Sequence, residues 1–481
     1  MSSSGSTLRT TEGPRPPALI VGVQLPDVSD EAFQASLKEL ARLADTLGLT
    51  VVGQVTQRRG ALAAAAVVGA GKLRQIAAYT GGPGFVPTYA PPGKRKEADP
   101  EQELAQARAE DALARERSEH DDDDDGFDPD APGPSQQAEL VLVDHDLTPS
   151  QMRNLEKATG ADVLDRSMVI LSIFQRHART REARMQVEIA RLNYMAPRMR
   201  EASAGQDRQR GGIGGRGAGE SALELDRRRV RDRIAELRRE LENVKREADT
   251  RRSRRTQTDS HTVALVGYTN AGKSSLMRAL TGDEVYVADQ LFATLDTTVR
   301  ALKPETRPRI LVSDTVGFIK KLPHDLVASF RSTLEEARDA SLLLHLVDGS
   351  DPAFRDQYQV TREVLAEIAA GDNASLLVLN KSDKLDEATR KALEAEFPQA
   401  LMLSAKDPED VRRLHERIVA HFEQSMGEQE FLIPYSEQRF VAMLHERCRV
   451  LEENYEDEGT RIRVRAPAAV LAGIASEFGA R

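Results

Sequence analysis

The sequence predicts an α/β chain of several domains, with a long helical hairpin between two α/β parts. Three observations lead there. Strand and helix patterns alternate over residues 18–55 and again from residue 261 onward. Apolar residues recur at 4-3-4-3-4 spacing from Val230 to Ala248. At 481 residues the chain has room for about two to four domains of roughly 100–200 residues each.

Residues 1–17 are polar and carry no apolar stretch, so they predict a disordered tail and not a signal peptide. Residues 18–24 (ALIVGVQ) read as a buried strand. A helix follows over 31–47, with Phe33, Leu37, Leu40, Ala41 and Ala44 on one face. Residues 50–55 return as a strand, and this order predicts a parallel sheet. A further strand at 140–144 and a helix at 148–159 complete an N-terminal α/β subdomain over 18–164. Residues 80–137 interrupt it. That stretch has too few apolar residues to offset the entropy of ordering, and predicts a disordered insertion with a solvated helix near 101–119.

A hairpin is expected over 165–256, with a long helix at 167–197, a Gly-rich basic loop at 205–220, and the heptad seam Val230, Ile234, Leu237, Leu241, Val244 and Ala248. The seam suits an intramolecular partner in a monomer better than dimerisation, because a helix of similar length lies just upstream. Residues 257–425 alternate strands at 262–266, 309–314, 341–348, 375–380 and 400–403 with helices, the pattern of a doubly wound domain. Residues 426–481 predict a small α/β module: strand 430–435, helix 436–452, strand 460–466.

Composition removes several function classes. Cys448 is the single cysteine, which excludes a disulfide framework or a multi-cysteine metal site and fits a reducing cytoplasm. No apolar run approaches the ~18 residues of a membrane span. The net charge of −10 hides two opposite regions. Residues 97–130 hold 15 Asp/Glu against 3 Arg, whereas 176–255 hold 23 Lys/Arg against 13 Asp/Glu. The acidic insertion and the basic hairpin therefore have different partners.

Four motifs carry the chemistry. Gly267-Tyr268-Thr269-Asn270-Ala271-Gly272-Lys273-Ser274 follows an apolar strand and matches a phosphate-binding loop. Its glycines let backbone N–H groups turn toward phosphate oxygens. Lys273 supplies a cation to the β- and γ-phosphates, and Ser274 a hydroxyl to Mg2+. Asp314-Thr315-Val316-Gly317 ends the next strand; Asp314 is placed to hold Mg2+ through water, and Gly317 to offer its N–H to the γ-phosphate. Asn380-Lys381-Ser382-Asp383 ends a later strand. A carboxylate at Asp383 accepts the ring N–H and the exocyclic amine of guanine, a donor pair that adenine lacks. Ser404-Ala405-Lys406 ends the strand after that, where a backbone N–H reaches the guanine O6. Between the first two motifs lies Phe292-Ala293-Thr294-Leu295-Asp296. Thr294 is the candidate to complete the Mg2+ shell, with Thr297 and Thr298 as neighbours of the same type.

Other patterns carry less. Gly212, Gly214 and Gly217 match a dinucleotide fingerprint, but no strand precedes them. Gly69-Ala70-Gly71-Lys72 reads as a strand-to-helix turn, and Cys448 as a small buried apolar residue.

With these segments the sequence resembles the HflX family of ribosome-associated GTPases, in the Obg–HflX group. The resemblance rests on 147–156, 165–199, 211–228, 267–276, 292–296 and 314–322, and leaves out the tail and the acidic insertion. It implies a P-loop GTPase that converts GTP to GDP, binds the large ribosomal subunit and its ribosomal RNA, and rescues or splits stalled ribosomes under stress. It also implies that the loop between the hairpin helices reaches toward the peptidyl-transferase centre; Arg208, Arg210 and Arg216 there are candidates for RNA contact. Many GTPases place a catalytic glutamine after the glycine of the second motif. Here Phe318 stands there, as in the family, which implies a slow intrinsic rate and help from a partner. Asn270 matches a position that in some related GTPases helps hold K+. Two other readings stand beside this one: an NTP-driven RNA remodeller, distinguished by ATP preference, and a regulatory scaffold acting through the heptad seam, distinguished by absent hydrolysis.

Overall fold

The computed structural model describes residues 14–86, 136–203, 222–256, 261–282, 291–292, 298–320 and 336–479. The first sheet holds β1 (Pro17–Gln24), β2 (Thr50–Arg58), β3 (Leu140–Val143) and β4 (Asp162–Asp165). They run parallel in the order β2-β1-β3-β4. β1 is central and buried along its whole length, as its unbroken apolar run requires. Helices α1 (Asp30–Thr46), α2 (Ala70–Thr80) and α3 (Pro149–Thr159) connect the strands. Ser29 caps α1 by accepting the Ala32 N–H, and Thr148 with Gln151 forms a capping box on α3.

The strand β4, at the edge of this subdomain, was not anticipated; four residues are too few to show a period. The described ends of the insertion meet: Gln137 Nε2 donates to the Thr80 carbonyl oxygen at 2.8 Å. The sheet therefore closes without the residues between them. Residues 87–135, including the helix anticipated near 101–119, lie outside the described residues.

The helix expected over 167–197 is two helices, α4 (Arg166–His177) and α5 (Arg181–Ser203). The break has a local cause: the Thr180 hydroxyl accepts the Ala183 N–H at 3.1 Å and starts a new helix. α5 also runs past Pro197, where the sequence suggested an end. α6 (Ala222–Thr256) returns. Met185 and Ile189 bury against Ile234 and Leu237, with Leu192, Val230, Leu241 and Val244 packed around them. Arg181 pairs with Glu240 at 2.8 Å and Glu188 with Arg233 at 2.9 Å. One member of each pair rises in number as the other falls, so the helices run antiparallel. From Val230 to Val244 the heptad seam is covered within one chain.

The second sheet contains β5 (His261–Gly267), β6 (Thr298–Ala301), β7 (Ile310–Asp314), β8 (Leu342–Asp348), β9 (Ser375–Asn380) and β10 (Leu401–Met402), in the order β10-β9-β8-β5-β7-β6. All pairs are parallel except β6 with β7. Helices α7 (Lys273–Thr281), α8 (Phe354–Glu367), α9 (Glu387–Glu396) and α10 (Pro408–Glu423) cover it. One face packs Leu342, Leu344 and Leu346 on α7 and α10; the other packs Val347 and Leu379 on α8 and α9.

The C-terminal module holds β11 (Met426–Ile433), α11 (Gln438–Arg447), β12 (Arg449–Glu456), β13 (Gly459–Pro467) and α12 (Ala468–Gly479). The helix expected over 436–452 stops at Arg447, and its last residues join strand β12. Pairing with β13 overrides their helical propensity, and Cys448 is buried at the junction. On the exposed face of β13, Arg461 pairs with Glu430 and Glu456, Arg463 with Glu452, and Arg465 with Glu428. Among the described residues no helix is long and apolar enough to cross a membrane.

Candidate nucleotide site

The site forms where β5, β7, β9 and β10 end, the usual crevice of an open parallel sheet. After β5 the chain turns through 268–272 into α7. Gly267 has φ +152°, and a Cβ there would lie 2.1 Å from the Leu346 carbonyl oxygen. Gly272 has φ +95°, and a Cβ there would lie 2.3 Å from Asn380 Nδ2. Neither position admits a side chain. Asn270 takes φ +60°, a conformation that asparagine tolerates.

Lys273 opens α7 with its side chain buried, donating to the carbonyl oxygens of Gly267 at 3.0 Å and Tyr268 at 2.8 Å. Burial pushes its ammonium down to about 8, partly opposed by the Asp314 carboxylate. The loop thus holds a cation over its own backbone. The Ser274 hydroxyl donates to Asp314 Oδ2 at 2.9 Å, and Asp314 is fully buried. A hydroxyl and a carboxylate converging at a helix N-terminus are hard oxygen donors and suit Mg2+. Thr315 turns inward and donates to the Leu265 carbonyl oxygen at 2.6 Å, so its hydroxyl serves the fold. Val316 is buried. Gly317 lies so close that a Cβ would meet Thr269 Cγ2 at 2.8 Å and Lys273 Nζ at 3.0 Å. Phe318 is buried, its N–H donating to Gly267 O at 3.2 Å and its carbonyl accepting the Thr269 N–H at 2.8 Å.

The second half of the site is built on Asn380. Its Nδ2 donates to the Ala271 carbonyl oxygen at 2.8 Å, and its Oδ1 accepts the Ala405 N–H at 3.1 Å. Lys381, at φ +62°, reaches Asp348 Oδ2 at 2.8 Å. Ser382 is buried. The Ser404 hydroxyl donates to Asp383 Oδ1 at 2.8 Å, which holds that carboxyl below its ordinary range, with Lys406 3.8 Å from Oδ2 as a lesser cause. Asp383 is therefore an anion at neutral pH. The three backbone N–H groups of 404–406 already have acceptors: Asp410 Oδ2 at 2.7 Å, Asn380 Oδ1 at 3.1 Å and Ser404 Oγ at 3.3 Å. A guanine O6 would share one of the two longer bonds.

All four motifs anticipated in sequence thus interlock through named bonds. Phe292 is buried with its ring 4.6 Å from Phe174, edge to face. Ala293, Thr294, Leu295, Asp296 and Thr297 lie outside the described residues, as do Arg208, Arg210 and Arg216. Thr298 begins the edge strand β6. Gly69 caps α2 as a turn, with its N–H on Gln57 Oε1 at 3.0 Å. Two supporting carboxylates went unnoticed in sequence: Asp348 under Lys381 and Asp410 under Ser404. Asp348 ends an apolar strand, a signal that was available; Asp410 sits in a polar helix turn and gave none.

Known proteins match along the whole chain. Residues 262–381 match a family described as 50S ribosome-binding GTPase, 177–255 the GTP-binding GTPase middle region, and 34–83 with 133–175 the GTP-binding GTPase N-terminal region. The stretch skipped by the last match falls within the acidic insertion. GTPase HflX of Gluconacetobacter diazotrophicus is 55% identical over 98% of this chain and 100% of its own length. GTPase HflX of Caldanaerobacter subterraneus is 35% identical over 91% of this chain and 88% of its own length. GTPase HflX of Escherichia coli is 40% identical over 69% of this chain and 78% of its own. Among solved structures, a GTP-binding protein from Sulfolobus solfataricus in complex with GDP covers 84% of this chain and 99% of its own at 22% identity and a TM-score of 0.39, too loose a likeness to position any residue.

Proposed function

The chain belongs to the HflX family of GTPases, and we propose that it spends its GTP cycle on the large ribosomal subunit, splitting or rescuing stalled ribosomes in the cytoplasm under stress. Family membership carries GTP binding and hydrolysis. The ribosomal reading rests on one observation: the match of 262–381 to a family described as 50S ribosome-binding GTPase.

The residue roles follow from the chemistry of the site. The N–H groups of 267–274 cradle the phosphates, and Lys273 neutralises charge on the β- and γ-oxygens. Ser274 and Thr294 would ligate Mg2+, with Asp314 holding it through water. Bound Mg2+ would offset charge on the phosphate oxygens. Gly317 turns its N–H to the γ-phosphate, and Asp383 selects guanine. Asn270 is placed to help hold K+ beside the phosphates; equal rates in Na+ and K+ would exclude this.

Phe318 explains why a partner is needed. A phenyl ring offers no hydrogen bond to a water, and this ring is buried. The group that orients water must come from elsewhere, so purified large subunits should accelerate turnover many-fold. The basic loop at 205–220, with Arg208, Arg210 and Arg216, contacts ribosomal RNA, whereas the charge of the acidic insertion is repelled by it. Co-sedimentation with 50S and 70S particles, loaded with a GTP analogue or with GDP, tests the reading. Retention of the GTP-analogue form on 50S particles is expected. Equal loss of both forms, with turnover unmoved by subunits, overturns it.

A further inference from the structure

Tyr268 does more than occupy the second position of the phosphate loop. Its backbone forms a parallel bridge with Phe318, and its phenol oxygen accepts the Lys320 N–H at 2.7 Å. The ring is buried. Beyond this contact, the Lys320 ammonium pairs with Asp356 on α8 at 2.8 Å. The chain from Gly317 to Lys320 is therefore tied to the phosphate loop at Gly267, Tyr268 and Thr269 together.

That closure bears on the phosphates. An atom added to Gly317 would already stand 3.0 Å from Lys273 Nζ. The bonds between 317–320 and the loop hold Gly317 close to Lys273, so any outward movement of Gly317 to receive a γ-phosphate works against them. A diphosphate, ending at its β-phosphate, makes no such demand.

We propose that the Tyr268 hydroxyl is a specificity-determining group, a latch on Lys320 that sets the balance between guanosine tri- and diphosphate. This rests on the GTPase reading of the site. The latch favours GDP, so the triphosphate complex forms only by releasing the Lys320 N–H. Once that N–H is released, the segment is free for a partner that stabilises the open form. Tyr268→Phe removes the acceptor and keeps the ring and both backbone bonds.

The test measures dissociation constants of the full chain for GDP and for a non-hydrolysable GTP analogue, before and after Tyr268→Phe. The ratio should shift toward the triphosphate by about fivefold, the yield of one neutral hydrogen bond. A second measurement needs no variant: amide exchange at Lys320 should be at least ~10-fold slower with GDP than with the GTP analogue. An unaltered ratio, or equal exchange in the two complexes, overturns the latch. A wild-type chain that takes up neither nucleotide defeats the site reading itself.

Discussion

Asn380 Nδ2 donates to the Ala271 carbonyl oxygen across 2.8 Å, joining the end of β9 to the phosphate loop. Its Oδ1 receives the Ala405 N–H, so one buried side chain ties the phosphate end of the site to the base end. Asn380→Ala strands the Ala271 acceptor in the interior. It should cost about 1–3 kcal/mol of folding stability and weaken GDP binding together. Urea denaturation with and without GDP measures both. A variant of native stability and native affinity would show that the tie is idle.

Asp383 is held ionised by the Ser404 hydroxyl. Asp383→Asn replaces an acceptor pair by one acceptor and one donor, which faces the guanine amine badly. GTP affinity should fall at least ~10-fold, since a charge-assisted hydrogen bond is exchanged for a clash of donors. Xanthosine triphosphate, which carries an oxygen where guanine carries the amine, should gain. Competition binding among the triphosphates decides it; unchanged selectivity removes Asp383 from the base site.

Lys273 gives a pH dependence with two opposite signs. Its folded-state value of about 8 lies below the ordinary 10.5. Below pH 8 both states hold the proton, and burial of the ammonium opposes folding in full. From 8 to 10.5 the folded state loses its proton first, and this opposition is relieved as pH rises. Phosphate binding needs the charged form and changes the other way. Affinity for GDP should decline above pH 8 by up to ~10-fold per unit. A flat affinity profile from neutral to pH 9.5 would contradict the placement of Lys273 on the phosphates.

Leu237 tests the hairpin. It is 2% exposed, in the cluster with Met185, Ile189 and Ile234. Leu237→Ala should destabilise this packing by about 2–5 kcal/mol. Exchange protection along α5 and α6 should drop while GDP affinity holds. A change of oligomeric state on the same substitution would instead place the seam between chains.

Much of the phosphate site was legible because its requirements are local. Gly267 and Gly272 stand where the backbone leaves no room for a Cβ, and Lys273 follows at the start of a helix. Asp383 and Ser404 were legible one by one, yet their 2.8 Å bond joins residues on separate loops. The last residues of the helix expected at 436–452 misled because their fate depends on β13, which comes later in the chain. The break at Thr180 was overlooked because a single capping hydroxyl outweighed a continuous apolar pattern.

Sequence alone picked out the candidate phosphate loop and the candidate guanine carboxylate, since each rests on residues within one short stretch. Tertiary structure decided what those stretches do to one another: Asn380 under Ala271, Asp410 under Ser404, and Tyr268 against Lys320. These are hydrogen bonds between strand-end loops, and their geometry exists only once the sheet has set those loops side by side.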